Sequence, residues 1–247
     1  MCRLMAFVSH KTLDFPQIVG NEFQKFIDLS SFHKDGWGIS IIDEGSETVT
    51  IKKSPGAARE SKEFPRIARE LQGNGGLLHL RWATSGLDAC DENTHPFTHG
   101  GYAFIHNGEI KNRHAIDSYI PDSLFNQRIG DTDSERYFYL LISQIEKYGI
   151  EKGAQSTLDI IEENSAYSSL NAMLLNSENL LVISKFEPTR IPSGQPSDYY
   201  NLGYKIEEEK ILIASSGWPQ NGWISIPNNS LLCINRDTQK IDLISLD

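Results

Sequence analysis

The chain has 247 residues, 39% of them hydrophobic and 23% charged, enough apolar material for one large core or two modest ones. Its formal net charge of -10 at pH 7 argues against nucleic acid as a partner, because a nucleic-acid surface needs clustered Lys and Arg. No apolar stretch reaches the roughly 18 residues of a membrane span, and the start, MCRLMAFVSHK, has neither the charged leader nor the cleavage site of a signal peptide. No membrane partner and a cytoplasmic location are therefore expected.

Taken in chain order, residues 2–9 read as a buried strand. Residues 16–29 read as a helix with Ile18, Phe23, Phe26 and Ile27 on its apolar side. Residues 36–42 and 48–52 read as a hairpin, residues 61–72 as a second helix interrupted early by Pro65, and residues 76–83 and 101–106 as strands. A long helix is expected from about Asp131, with Thr132 and Glu135 matching a capping box and Tyr137, Leu141 and Ile145 at helical spacing. Residues 153–163 read as its partner helix.

The last third reads as mostly β. Strands at 170–175 and 180–185 flank a turn at 176–179, and strands at 211–215, 230–235 and 240–246 follow. Residues 188–200 read as the least regular stretch, a surface loop. Strands at both ends with helices between predict an α+β fold around a single core, one domain over residues 1–247.

Chemistry concentrates in a few short segments. Cys2 becomes the N-terminus if Met1 is removed, and one residue then carries a thiol nucleophile and an α-amine with an ordinary pKa near ~8. By itself Cys2 reads equally as a small buried hydrophobe. Cys90 and Cys233 are the other cysteines; the three form no CxxC pair, and an odd number gives no disulfide framework. The seven histidines show no HExxH-type spacing, so neither a metal nor another cofactor is expected.

In the segment LHLRWATSG, Arg81 stands at a strand's end beside Trp82 and the hydroxyl of Thr84. A guanidinium there suits a carboxylate, although a lone Arg reads more simply as a structural ion pair, and His79 as a hydrogen-bonded core histidine. In FIHNGE, Asn107 and Gly108 read as a hairpin turn. They also fit an oxyanion hole, in which a side-chain amide and the next backbone N–H converge on one oxygen. In GDTDSE, Asp133 is left over from the capping box, placed in a first turn that favours an anion or able to hold a substrate ammonium. Trp37, between the glycines of DGWG, reads as a site wall or as core.

Six motifs, MC, DGWG, RWATSG, THPF, HNGEI and GDTDSE, occur in this order over residues 2–135. Together they resemble the class II glutamine amidotransferases, which are N-terminal-nucleophile hydrolases, and the later LNAMLL and ILIASSGW strands look like the stand-alone members. The resemblance implies a four-layer αββα sandwich of two antiparallel sheets between helices. It implies Cys2 as nucleophile with its own amine as base, and Asn107 and Gly108 as the oxyanion hole. It further implies Arg81, with Thr84 nearby, on the substrate α-carboxylate, Asp133 on its α-ammonium, and Trp37 and Trp82 as pocket support.

The implied reaction is hydrolysis of glutamine or another γ-glutamyl amide through a γ-glutamyl thioester. After residue 135 no Walker or Rossmann glycine pattern appears. The released ammonia or amine would therefore be lost to solvent or passed to a separate synthase. The alternative is an idle glutamine or γ-glutamyl sensor that keeps the pocket without turnover.

Overall fold

The computed structural model describes residues 2–83 and 88–246. The first sheet has seven strands in the order β11-β9-β10-β1-β4-β2-β3. These are β1 (Arg3–Leu13), β2 (Gly36–Ile42), β3 (Thr50–Ser54), β4 (Gly73–Arg81), β9 (Leu202–Glu207), β10 (Lys210–Ser215) and β11 (Ile224–Ile226). The second has six in the order β13-β12-β8-β7-β6-β5: β5 (Phe97–His99), β6 (Tyr102–Ile110), β7 (Tyr167–Leu175), β8 (Asn179–Ser184), β12 (Ser230–Asn235) and β13 (Ile241–Ser245). All the pairings are antiparallel.

Three helices cover the outer face of the first sheet: α1 (Phe15–Val19), α2 (Phe23–Asp28) and α3 (Phe64–Glu70). After the single-turn α4 (Asp122–Phe125), α5 (Asp133–Tyr148) and α6 (Ile150–Asn164) cover the outer face of the second. The result is the αββα sandwich that the motif set implied.

Strand alternation builds the layers. In β1, Leu4, Ala6 and Val8 point between the sheets, while Met5 and Phe7 point to the helices. Because both faces are covered, the strand reads as an unbroken apolar run rather than an alternating one. In β4, Leu77 faces the inter-sheet core while Leu78 and Leu80 face the helices. In β6, Ala103 and Ile105 face inward and Phe104 outward.

Several expected elements change in detail. The helix at 16–29 is two short helices, because Gly20 takes φ 69° at the end of α1 and stops it. The strand expected at 101–106 continues through Asn107 and Gly108, which pair with Asn171 and Leu170 of β7. No turn forms there; pairing along β7 outcompetes the local preference of Asn-Gly for a hairpin bend. The capping box is half formed: Thr132 Oγ1 accepts from the Glu135 N–H, but the Glu135 carboxylate accepts from Ile129 and Gly130 instead of closing on Thr132. Strands β5, β9 and β11 arise where no strand was expected. Among the described residues no helix is long and apolar enough to cross a membrane.

Candidate active site

The same alternation that fills the inter-sheet core carries polar residues to one end of it. Continuing the inward face of β1 past Leu4 places Cys2; continuing that of β4 past Leu77 places His79 and then Arg81; continuing that of β6 past Ile105 places Asn107. Register locks these strands together, with Leu4 opposite His79 and Arg3 opposite Leu80. Cys2, Arg81, Trp82, Gly108 and Asp133 line one small void of about 20 Å³, and His95, His106 and Ser134 complete much of its wall. That is the space of about one water molecule.

The Cys2 thiol is buried and donates to the Trp82 carbonyl at 3.7 Å. Burial pushes its pKa up, against the opposing pull of the Trp82 hydrogen bond and the nearby Arg81 charge. A thiol so placed needs an adjacent base to become a nucleophile.

Arg81 is 3% exposed. Its Nη1 donates to the carbonyl of Asp35 at 3.3 Å, and both terminal nitrogens donate to the carbonyl of Asp88 at 3.2 Å. Among the described residues no carboxylate lies within 4.0 Å of it. The simple ion-pair reading of this Arg therefore fails. Among the described residues this buried cation is held by carbonyl dipoles alone, an arrangement that suits an anionic ligand.

Asp133 opens α5, and its Oδ2 accepts from the Ile110 N–H at 2.8 Å. That bond ties the helix start to the end of β6 and aims the carboxylate at the void. The loop before α5 is held by Arg136, which is buried and reaches Asp117, Asp131 and the Thr132 carbonyl. Asn107 is fully buried, and among the described residues neither its Nδ2 nor its Oδ1 has a hydrogen-bond partner. An unpaired buried amide is costly, and Gly108 rather than Asn107 is the one of the two that lines the void.

Gly108 cannot be replaced without movement: a Cβ there would lie 1.6 Å from the Ser169 carbonyl oxygen and 2.6 Å from His106 Nε2. Gly38 serves a similar approach, since a Cβ at that position would meet the His95 carbonyl oxygen at 2.0 Å. The DGWG and THPF motifs thus meet in space, and this contact seats His95 against His79 with ring centroids 4.1 Å apart.

Trp82 lines the void, is 40% exposed, and packs edge-on against His33. Trp37 goes elsewhere. It pairs with Leu80 across β2 and β4, so it shares that residue's outward face and packs edge-on against Phe64 under the helices. Its role as pocket support is corrected to that of a core residue, because alternation turns it away from Arg81. Thr84 lies outside the described residues.

The sequence reading missed the three buried histidines as a group. His79 donates its Nε2–H to the His106 carbonyl, 3.2 Å away, as expected of a core histidine. Burial lowers its pKa to about 3 and pushes those of His95 and His106 down as well. His106 Nδ1 lies 2.9 Å from Ser134 Oγ, which in turn contacts Asp133 at 3.5 Å. The available signal was the presence of His95 and His106 inside two of the quoted motifs. Among the described residues no group of three or more His, Cys, Asp or Glu is arranged to hold a metal.

A sequence profile of the family described as glutamine amidotransferases class-II matches residues 1–196. An uncharacterized protein of Methanocaldococcus jannaschii is 29% identical over 94% of this chain and 68% of its own length. A probable glutamine amidotransferase of Saccharomyces cerevisiae is 24% identical over 96% of the chain and 83% of its own length. A glutamine–fructose-6-phosphate aminotransferase of Buchnera aphidicola is 27% identical over 79% of the chain, which spans only 30% of that enzyme. Among solved structures, a glutamine aminotransferase class-II domain protein from Silicibacter pomeroyi superposes over the whole of both chains with TM-score 0.72 at 16% identity. A glutamine phosphoribosylpyrophosphate amidotransferase from B. subtilis superposes with TM-score 0.65 at 18% identity, over 49% of its length.

Proposed function

The chain belongs to the class-II glutamine amidotransferases, and from that premise we propose a role for each residue at the void. The protein is an amidohydrolase that cleaves a small γ-glutamyl amide with an N-terminal cysteine. In our reading Cys2, freed of Met1, is the nucleophile and its α-amine the base. Arg81 takes the substrate α-carboxylate and Asp133 the α-ammonium. Asn107 Nδ2 and the Gly108 N–H hold the oxyanion. Trp82 walls the entrance.

The amine removes the thiol proton as sulfur attacks the amide carbon. An S–C bond forms and the carbonyl π electrons move to oxygen, where the two donors meet them. Collapse restores the carbonyl and breaks the C–N bond, and the leaving nitrogen takes the proton from the α-ammonium. Water then attacks the thioester, giving its proton to the amine. A second oxyanion collapses, the S–C bond breaks, and glutamate leaves as the thiol is reprotonated.

The observation that carries this reading is Arg81: a buried cation with no carboxylate partner among the described residues, on the same void as a buried thiol. The free state of all three cysteines supports a reducing, cytoplasmic compartment. Transfer of the ammonia to a separate synthase is a second reading. It is favoured by relatives such as the Buchnera aminotransferase, where the matching part is under a third of a longer enzyme.

The test is glutamine hydrolysis by protein whose intact mass shows loss of Met1, compared with Cys2→Ala. Product from the processed protein alone is expected. Equal product from both overturns the nucleophile assignment, and binding without turnover by the processed protein turns the reading into a sensor.

A further inference from the structure

One wall of the void is a buried histidine that takes no part in making or breaking bonds. His106 stands on β6 directly before Asn107 and Gly108 and is 1% exposed. Its ring packs edge-on against Tyr137, with centroids 5.3 Å apart and planes at 88°. Nε2 lies 3.1 Å from the Ser169 carbonyl oxygen, and Nδ1 lies 2.9 Å from Ser134 Oγ. A half-turn of the ring would set carbons against both oxygens, so the two partners fix its orientation. A Cβ at position 108 would lie 2.6 Å from this same Nε2, so the bare backbone of Gly108 is what gives the ring its room.

The protons along these contacts follow from what each group can donate. A carbonyl only accepts, so Nε2 carries the ring proton. Burial holds the His106 pKa down, against the opposite pull of Asp133 and the Ser169 carbonyl. The ring is therefore neutral, and Nδ1 is a bare acceptor. Ser134 has one hydroxyl proton and two acceptors in reach: Nδ1 at 2.9 Å and Asp133 Oδ1 at 3.5 Å. The shorter contact takes it, since a hydrogen bond at the longer distance is weak. Asp133 Oδ2 is already bonded to the Ile110 N–H. Among the described residues no basic side chain lies within 4.0 Å of Asp133. Oδ1 is thus an anionic oxygen beside the void with no proton committed to it.

Without the acceptor at Nδ1 the balance changes. Ser134 is 6% exposed, and a buried hydroxyl that loses its acceptor turns to another. Asp133 Oδ1 is the one at hand. A hydroxyl bonded there would compete with a substrate ammonium for the same lone pairs.

We propose that His106 is a positioning residue for substrate selection: it holds the Ser134 hydroxyl proton and so keeps Asp133 Oδ1 open to an α-ammonium. The preference this builds is for glutamyl amides whose α-amine is free and charged. The proposal rests on the amidohydrolase reading, with Asp133 at the ammonium.

The test compares L-glutamine with glutaramate, which keeps the carboxylate and the amide and lacks only the α-amine, using processed protein. Wild type should favour glutamine in kcat/KM. His106→Leu should cut that preference by about tenfold, the scale of one charge-assisted hydrogen bond, through a higher KM for glutamine. His106→Asn offers an amide oxygen near the Nδ1 position and should retain most of the preference, although it loses the Ser169 bond just as Leu does. Adding Ser134→Ala to His106→Leu removes the competing hydroxyl and should restore the preference. A purely structural histidine would slow both substrates alike and leave their ratio as in wild type. That result, or a lost preference that Ser134→Ala does not restore, overturns the proposal and leaves the amidohydrolase intact. Imidazole nitrogen NMR of the wild type needs no variant: it should show His106 Nδ1 unprotonated, and a protonated Nδ1 overturns the proposal. Wild type that cleaves both substrates equally well overturns it by taking Asp133 off the ammonium. Wild type that cleaves neither overturns the amidohydrolase reading with it.

Discussion

The middle of the sandwich and its site end are made from the same strands, yet they obey opposite rules. Between the sheets, Leu77, Ile105, Met173, Val182, Ile213 and Leu232 are buried with no polar atoms to satisfy. One turn of the strand pattern further along, the inward positions are Cys2, His79, Arg81 and Asn107, just as buried but holding a thiol, a cation and unpaired polar atoms. The middle supplies stability through apolar burial. The end consumes part of it to keep donors and charges free for a ligand. Gly38, Gly108 and Arg136 let the end persist, because their close approaches and hydrogen bonds hold its backbone in place.

This contrast can be broken or sharpened experimentally. The largest effect belongs to the end: Cys2→Ala should lower amide hydrolysis by roughly 10⁴-fold or more without shifting the denaturation midpoint, as read by product release and urea unfolding. A variant with wild-type turnover would remove the site from this end altogether. Next, Asn107→Ala should reduce kcat by roughly 10²–10³, with little loss of stability because neither polar atom of Asn107 is bonded. An unchanged kcat would assign the oxyanion elsewhere.

The middle should respond the other way. Leu232→Ala should cost about 2–5 kcal/mol in unfolding free energy while the folded fraction keeps its kcat, measured by urea titration alongside steady-state kinetics. A drop in kcat with no change in stability would erase the division of labour.

The most gradual effect is on pH. His79, with its pKa lowered to about 3, and His95 and His106, also lowered, stay neutral in the fold, whereas the unfolded chain takes up these protons near ~6.5. The unfolded state then binds more protons, so stability is full above that value and is lost as pH falls toward the folded pKa of about 3 for His79. The slope should reach up to about 1.4 kcal/mol per histidine per pH unit, read from urea midpoints at pH 7.5, 6 and 5. A flat profile would show that the histidines titrate normally and that the end is wetter than its burial indicates.

Much of the site was legible because motif residues carry chemistry that packing does not explain. Arg81 and Asp133 could be named as charge partners from type and context alone, and both reach the same void as Cys2. What was not legible depended on which way a strand faces. Trp37 and Arg81 lie on neighbouring strands, and only the pairing of Trp37 with Leu80 shows that the indole turns outward. Asn107-Gly108 reads locally as a turn, yet the ladder with β7 keeps it extended and thereby buries the Asn amide. Strands β5, β9 and β11 are short and half exposed, so they lack the apolar runs that announced β1 and β4.

By itself the sequence determined the chemical parts and their order: a cysteine next to the start, a cation, an amide, a glycine and a carboxylate, set within strand and helix patterns. These follow from local composition and periodicity, which act between residues close in the chain. Only the tertiary structure decided that Cys2, Arg81, Gly108 and Asp133 share one void and that, among the described residues, Arg81 lacks an acid partner. Such facts depend on pairing between strands far apart in the chain, and on the orphaned polar atoms left where apolar packing ends.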